Sequence, residues 1–125
     1  MSATAAQISV LRPDASVAVV AFAGEHDLTS AKDATRIFEE LTTEGTSIVA
    51  DLSQVSFLDT TIIHALVVGR NLADSAEVGF ATCLPEGHVA RRMLELMRVL
   101  EVLPAATSVD AAIASARSAR KRPRS

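Results

Sequence analysis

FLDTTIIH, residues 57–64, joins the end of a strand-like run to the start of an apolar helix. Asp59 stands at the junction, and two adjacent hydroxyls, Thr60 and Thr61, follow it. Each of the three can accept a hydrogen bond from the unpaired N–H groups of a first helical turn, so the stretch reads as a strand-to-helix boundary. Upstream, TSIVADLSQVSFL supplies a strand centred on Ile48 to Leu52 and a short connection. Downstream, a helix runs from Thr60 to about Ala73. Ile63, Leu66, Val67 and Arg70 share one of its faces, and Ile62, Leu66 and Gly69 form an adjacent apolar stripe. Its β-branched residues weaken intrinsic helix propensity, and burial against a sheet is the compensation expected.

The same pattern extends in both directions. QISVLRP reads as a short strand ending before Pro13, and VAVVAFAG as its hairpin partner. GEHDLTS leads into the helix SAKDATRIFEEL, with Ala34, Ile37, Phe38 and Leu41 at i, i+3, i+4 spacing, Thr29 or Ser30 as cap and Gly45 at its end. VGFATCLP is the next strand. A helix over about Val89 to Glu101 follows, with Ala90, Met93, Leu94, Met97 and Leu100 facing inward. VLPAAT makes a fifth strand at an edge, where Pro104 is tolerated. Thr107 with Asp110 opens the last helix, VDAAIASARSAR, as a capping box. The order β-β-α-β-α-β-α-β-α predicts an α/β fold, a mixed sheet with helices packed on it. It forms one domain over residues 1–116, followed by a basic tail over 117–125.

A chain of 125 residues with 49% hydrophobic content buries one core without staples. That core is aliphatic apart from four Phe, because Tyr and Trp are absent. The single cysteine, Cys83, excludes an intramolecular disulfide and reads as a buried structural thiol. The opening residues MSATAAQ lack the features of a secretion signal, and no apolar run approaches the roughly 20 residues that span a membrane. Cytoplasmic residence without membrane insertion is the expectation. The net charge of -3 divides unevenly: residues 117–125 carry five basic side chains and no acid, and the rest has seven basic against fifteen acidic, a net of -8. An acidic body argues against direct nucleic-acid binding, whose affinity comes mainly from phosphate contacts.

Enzyme chemistry is poorly supplied. His26, His64 and His88 have no metal-ligand spacing, and GxxxxGK[ST], GxSxG and GxGxxG are all absent. Glu25 and Asp27 form an acid-rich strand-end loop suited to loop hydrogen bonding or a partner contact. His26 is expected on that turn, exposed or bonded to backbone, and His88 in a similar place at a helix start. His64, one turn beyond Thr60 and close to Thr61, suits either a half-exposed helix position or the lip of a partner surface. Asp59, Thr60 and Thr61 are first of all caps. A phosphate on one of the hydroxyls would place about -1.5 to -2 charges at this helix start.

VVAFAGEHDLTSA, IVADLSQVSFLDTTIIHALV and RRMLELMRVLEVLPAATSVDAAI, in that order, resemble the STAS family, and particularly its small bacterial anti-sigma factor antagonists. The resemblance covers residues 8 to 115. It implies a mixed sheet carrying helices and a regulatory, non-enzymatic protein without a cofactor. The family motif Asp-Ser-Ser/Thr-Gly matches Asp59, Thr60, Thr61 and Ile62. The resemblance therefore makes Thr61 the phosphoacceptor, with Asp59 and Thr60 supporting it. It also places Glu25 and Asp27 on the partner side, and Ile62 and His64, by their position at the helix start, are the further partner-contact candidates. The implied partner is an anti-sigma factor with a histidine-kinase-like serine/threonine kinase fold, released when it phosphorylates Thr61; a phosphatase restores binding. The chain departs from the pattern at Ile62, which replaces glycine and is expected to crowd the helix start, and in carrying Thr rather than the commoner Ser. That departure motivates the alternative of a constitutive STAS scaffold module in a multiprotein signalling complex. Small-ligand sensing and catalysis are lesser alternatives.

Overall fold

The computed structural model describes residues 6–103 and 105–120. Five strands form one sheet in the order β1-β2-β3-β4-β5. They are β1 (Gln7–Asp14), β2 (Val17–His26), β3 (Ser47–Leu58), β4 (Phe80–Cys83) and β5 (Ala105–Ala106). The β1–β2 hairpin is antiparallel and every later pairing is parallel. The helices are α1 (Leu28–Thr43), α2 (Thr60–Ser75), α3 (Val89–Leu96) and α4 (Val109–Ser118). The expected mixed sheet and element order are therefore present.

Alternation along the strands divides the core, because successive side chains of a strand point to opposite faces. Ala18, Val20 and Phe22 of β2, with Ile48, Ala50 and Leu52 of β3, meet α1, α2 and α3 on one face. Val17, Val19, Val49, Ala81 and Cys83 meet Ala112 and Ala116 of α4 on the other. On the larger face, Phe38 of α1 lies between Phe22 and Phe80, with ring centroids 6.4 and 5.5 Å away. Gly69 of α2 makes room for it, since a Cβ there would lie 2.6 Å from the ring. The mid-helix glycine that costs about 1 kcal/mol in propensity thus lets two helices approach closely.

Several boundaries differ from the sequence expectation. The first strand continues through Pro13 to Asp14, with a register shift between Leu11 and Asp14. An outer strand tolerates this, as proline's missing N–H and the irregularity fall at the sheet edge. β3 runs on to Leu58, because β2 pairs with it to the end, across two register shifts. The expected helix over residues 89–101 breaks after Leu96, with Arg98 in the left-handed region at φ 59 and a 3-10 turn over Val99–Glu101. The break rotates the inward stripe: Met97 is exposed, while Val99 and Leu103 are buried. The cap of α1 is Asp27 instead of Thr29 or Ser30, and that of α4 is Ser108 instead of Thr107. Pro104 and residues 121–125 lie outside the described residues; α4 itself continues to Ser118, and its Arg117 pairs with Asp14 of β1.

Cys83 is buried, and its thiol is pushed up to about 11, chiefly by desolvation and then by the neighbouring Asp51 carboxylate. It is a neutral packing group at physiological pH.

At Gly79, α4 approaches the sheet backbone against backbone. A Cβ at Gly79 would lie 1.7 Å from the carbonyl oxygen of Ala116, whereas one at Gly87 would meet nothing. Gly79→Ala is therefore expected to lower stability by about 3 kcal/mol or more through displacement of α4. Gly87→Ala, a change of backbone conformation alone, costs about 1–2 kcal/mol. Chemical denaturation followed by circular dichroism checks the contrast; equal losses would refute it.

Candidate functional site

Two strand-to-helix junctions lie side by side at one end of the sheet. The parallel register sets Glu25 opposite Phe57 and His26 opposite Leu58, so the residues that follow, Asp27 and Asp59, each begin a helix. The backbone N–H of Asp59 reaches the carbonyl of His26 at 3.4 Å, linking the junctions directly. Glu25 and Asp27 are both exposed.

Asp27 caps α1 through a reciprocal box. Its Oδ1 accepts from the backbone N–H groups of Thr29 at 3.1 Å and Ser30 at 3.4 Å, and its own N–H donates to Ser30 Oγ at 2.9 Å. Ser serves here where Glu or Gln is commoner. His26 departs from expectation in being fully buried as the last residue of β2. Its Nε2 hydrogen-bonds the Ala23 carbonyl oxygen at 2.8 Å, and its ring meets Phe22 edge-on at 5.3 Å. Burial lowers its proton affinity, which keeps the ring neutral. The backbone bond is as expected; the exposure is not. His88 caps α3, its Nδ1 accepting from the N–H of Ala90 at 3.0 Å.

At the second junction the cap is Asp59. Its Oδ1 accepts the backbone N–H of Thr61 at 2.7 Å and also the Thr61 hydroxyl. Its carbonyl receives the N–H groups of Ile62 at 3.2 Å and Ile63 at 3.4 Å. The Thr61 hydroxyl first, and then the Thr61 N–H, hold the Asp59 carboxyl below its ordinary value. The carboxylate is thus a strong acceptor with low proton affinity, one that orients Thr61 Oγ1. Thr60 is exposed and stands outside the cap, and Thr61 is half-buried. The two adjacent hydroxyls are chemically distinct: one is oriented by a carboxylate, the other faces solvent.

Ile62 has no exposed surface through which to act as a partner contact, since its side chain is 0% exposed within the core. The crowding expected at the helix start is absent for the same reason: about 100° of helical rotation from Thr61 turns Ile62 toward the sheet. His64 is exposed. It shares with Thr61 one side of a groove of about 340 Å³ between α1 and α2, whose other side carries Leu28, Lys32, Arg36 and Glu39.

The sequence reading missed the apolar members of this end. Leu28, Phe57 and Val89 are 54%, 53% and 69% exposed at the starts of α1 and α3 and the end of β3. The available signal was position, because each flanks a cap or junction where the chain leaves the core. Lys32 was also missed; it lies one turn beyond Leu28. Among the described residues no group of three or more His, Cys, Asp or Glu side chains is arranged to hold a metal ion. No described helix is long and apolar enough to cross a membrane.

The depressed affinity of Asp59 for protons gives the cap a pH signature. Its stabilising contribution is present above the unfolded-state value of an aspartate and is lost as pH falls through the lower folded value. The melting temperature of Asp59→Asn should therefore lie below that of the parent at neutral pH, with the difference shrinking on acidification below pH 4. A gap that widens in acid would contradict the assignment.

The chain matches the family model "STAS domain" over residues 9–112. No curated protein sequence is similar enough to count as a match. Among solved structures, it resembles an anti-sigma factor antagonist from Mycobacterium paratuberculosis, with 23% identity, a TM-score of 0.72 and coverage of 90% of this chain and 95% of the other. It also resembles SpoIIAA, an anti-sigma factor antagonist, in its unphosphorylated form at 14% identity and a TM-score of 0.70, covering 84% and 92% of the two chains. The phosphorylated form of SpoIIAA, a Bacillus cell fate determinant, gives 15% identity and a TM-score of 0.64, covering 84% and 96%. At these identities the structures establish a shared fold, and the match over residues 9–112 establishes the family: the chain belongs to the STAS domain family.

Proposed function

We propose that this protein is a cytoplasmic, non-enzymatic anti-sigma factor antagonist. It binds an anti-sigma factor with a histidine-kinase-like serine/threonine kinase fold and is released by phosphorylation at Thr61. The observation that carries the reading is the Thr61 hydroxyl donated to the Asp59 carboxylate at the exposed start of α2 in a STAS domain. Two similar structures, an anti-sigma factor antagonist and the phosphorylated form of SpoIIAA, support the same reading.

The proposed interface joins Glu25, Asp27 and Thr60 with the exposed apolar side chains of Leu28 and Phe57, and His64 on its groove side. Apolar side chains among charges suit an interface that gains from burial yet remains reversible. The partner supplies ATP and magnesium. Thr61 Oγ1 forms a bond to the γ-phosphorus, the γ-phosphorus–oxygen bond to the departing ADP breaks, and the hydroxyl proton leaves to a base. Asp59 orients the nucleophile, its low proton affinity suiting it poorly to keep that proton. The product adds a dianion beside the Asp59 carboxylate, on an interface that also carries Glu25 and Asp27, so the complex loses affinity while the core, which Thr61 does not enter, stays intact. A serine/threonine phosphatase hydrolyses the phosphothreonine and restores the binding form. The domain runs through the end of α4 at Ser118, two residues beyond the expected boundary at 116, and the remaining basic residues follow it.

Capture of partners from lysate of the source organism by the parent, Thr61→Ala and Thr61→Glu proteins tests the reading. A kinase-like partner should be retained by the parent and by Thr61→Ala. Thr61→Glu, folded by circular dichroism, should bind it on the order of 10- to 100-fold more weakly. Incubation of the captured partner with ATP should label Thr61 and leave Thr61→Ala unlabelled. Equal retention of all three would point to a constitutive scaffold module.

A further inference from the structure

We infer that the phosphate, once on Thr61, is received by Lys32 and His64 in the groove between α1 and α2, so that the phosphorylated chain carries its own anion-binding site. The inference rests on Thr61 as the phosphoacceptor and adds where the new charge goes.

The starting point is the fate of the Asp59–Thr61 contact. In the unmodified protein the hydroxyl donates to the Asp59 carboxylate. Phosphorylation removes the donated proton and puts a dianion where it was, so attraction becomes repulsion between like charges. The Thr61 backbone N–H still caps onto Asp59, and the helix start therefore stays in place while the phosphate turns away. The groove that Thr61 lines offers the cationic alternative.

Its charged lining supports this. On α2, His64 is three residues beyond Thr61, a spacing that makes side chains neighbours on a helix. Across the groove on α1 stands Lys32, exposed and without an ion-pair partner among the described residues. Arg36 is one turn further and already faces two carboxylates, Asp33 at 3.3 Å and Glu40 at 3.9 Å. The acid in the lining, Glu39, is seven residues from Lys32, about 10 Å along α1. The end of the groove nearest Thr61 thus presents Lys32 and His64 to the phosphate, with Asp59 as the opposing charge behind it. Phosphate seated there bridges α1 and α2 across the mouth of the groove, which denies that surface to a partner in addition to repelling it.

The test uses the full chain with phosphothreonine installed at position 61 during translation, so that no kinase is needed. The phosphorus resonance is titrated in the parent and in Lys32→Gln and His64→Gln, both changes being at exposed positions. If the phosphate lies between the two side chains, each substitution raises its titration midpoint by about half to one pH unit, and phosphorylation shifts the ring resonances of His64. Midpoints identical in all three proteins, with His64 resonances unmoved by the phosphate, would overturn the inference. Because the phosphate is installed directly, that result leaves the Thr61 acceptor role to be decided by the kinase labelling. A loss of labelling likewise leaves this measurement intact.

Discussion

The parallel pairing of β2 with β3 is the constraint on which the site depends. It runs from Val17 opposite Ser47 to His26 opposite Leu58 and absorbs two register shifts on the way. Without the run to the final pair, the two helix starts would not be level, and the bond from Asp59 to the His26 carbonyl could not form. His26 belongs to this arrangement. Its burial and its bond to Ala23 lock the end of β2 from inside, where a solvated histidine would leave that end free to fray. The core supports the same geometry from below, with Phe38 drawn between Phe22 and Phe80 and admitted by Gly69.

Both junctions use aspartate, and the two carboxylates serve differently. Asp27 is occupied by a reciprocal exchange with Ser30 that satisfies local backbone donors. Asp59 has a similar backbone duty and also holds a side-chain hydroxyl. One carboxylate therefore both caps the helix and orients the Thr61 hydroxyl. This dual use explains why Thr61, half-buried, is the better acceptor candidate than Thr60, whose exposure alone would favour it. Access to an enzyme and preparation for attack are different properties, and the fold separates them by one residue.

The element order was legible because each strand and helix carries its own period, and the junction FLDTTIIH marks the change from one to the other. Several details were not legible, for identifiable reasons. Asp27, Thr29 and Ser30 are all competent caps, and only the length of β2 decides among them. The break in the third helix turns on Arg98 adopting a left-handed conformation, which a long charged residue does not announce as glycine would. Ile62 was placed on the surface by its position in a motif. Its helical phase, one residue beyond Thr61, sends it into the core. The groove was invisible because its walls lie far apart in sequence, Lys32 facing His64, and meet only when α1 packs on α2.

β1 is nearly all exposed on both faces and forms one border of the sheet, and β5 forms the other. Open borders are templates on which further strands can grow. The fold blunts both. β5 is two residues long, too short to template another strand, and β1 ends in a shifted register at Pro13 with charged Arg12 and Asp14 on either side. Arg12 is held by Glu44 at 3.1 Å and Asp14 by Arg117, which pins those charges at the border. The association surface proposed for this molecule lies at the strand ends, away from both borders. The flanks of the sheet are correspondingly poor seeds for fibrils.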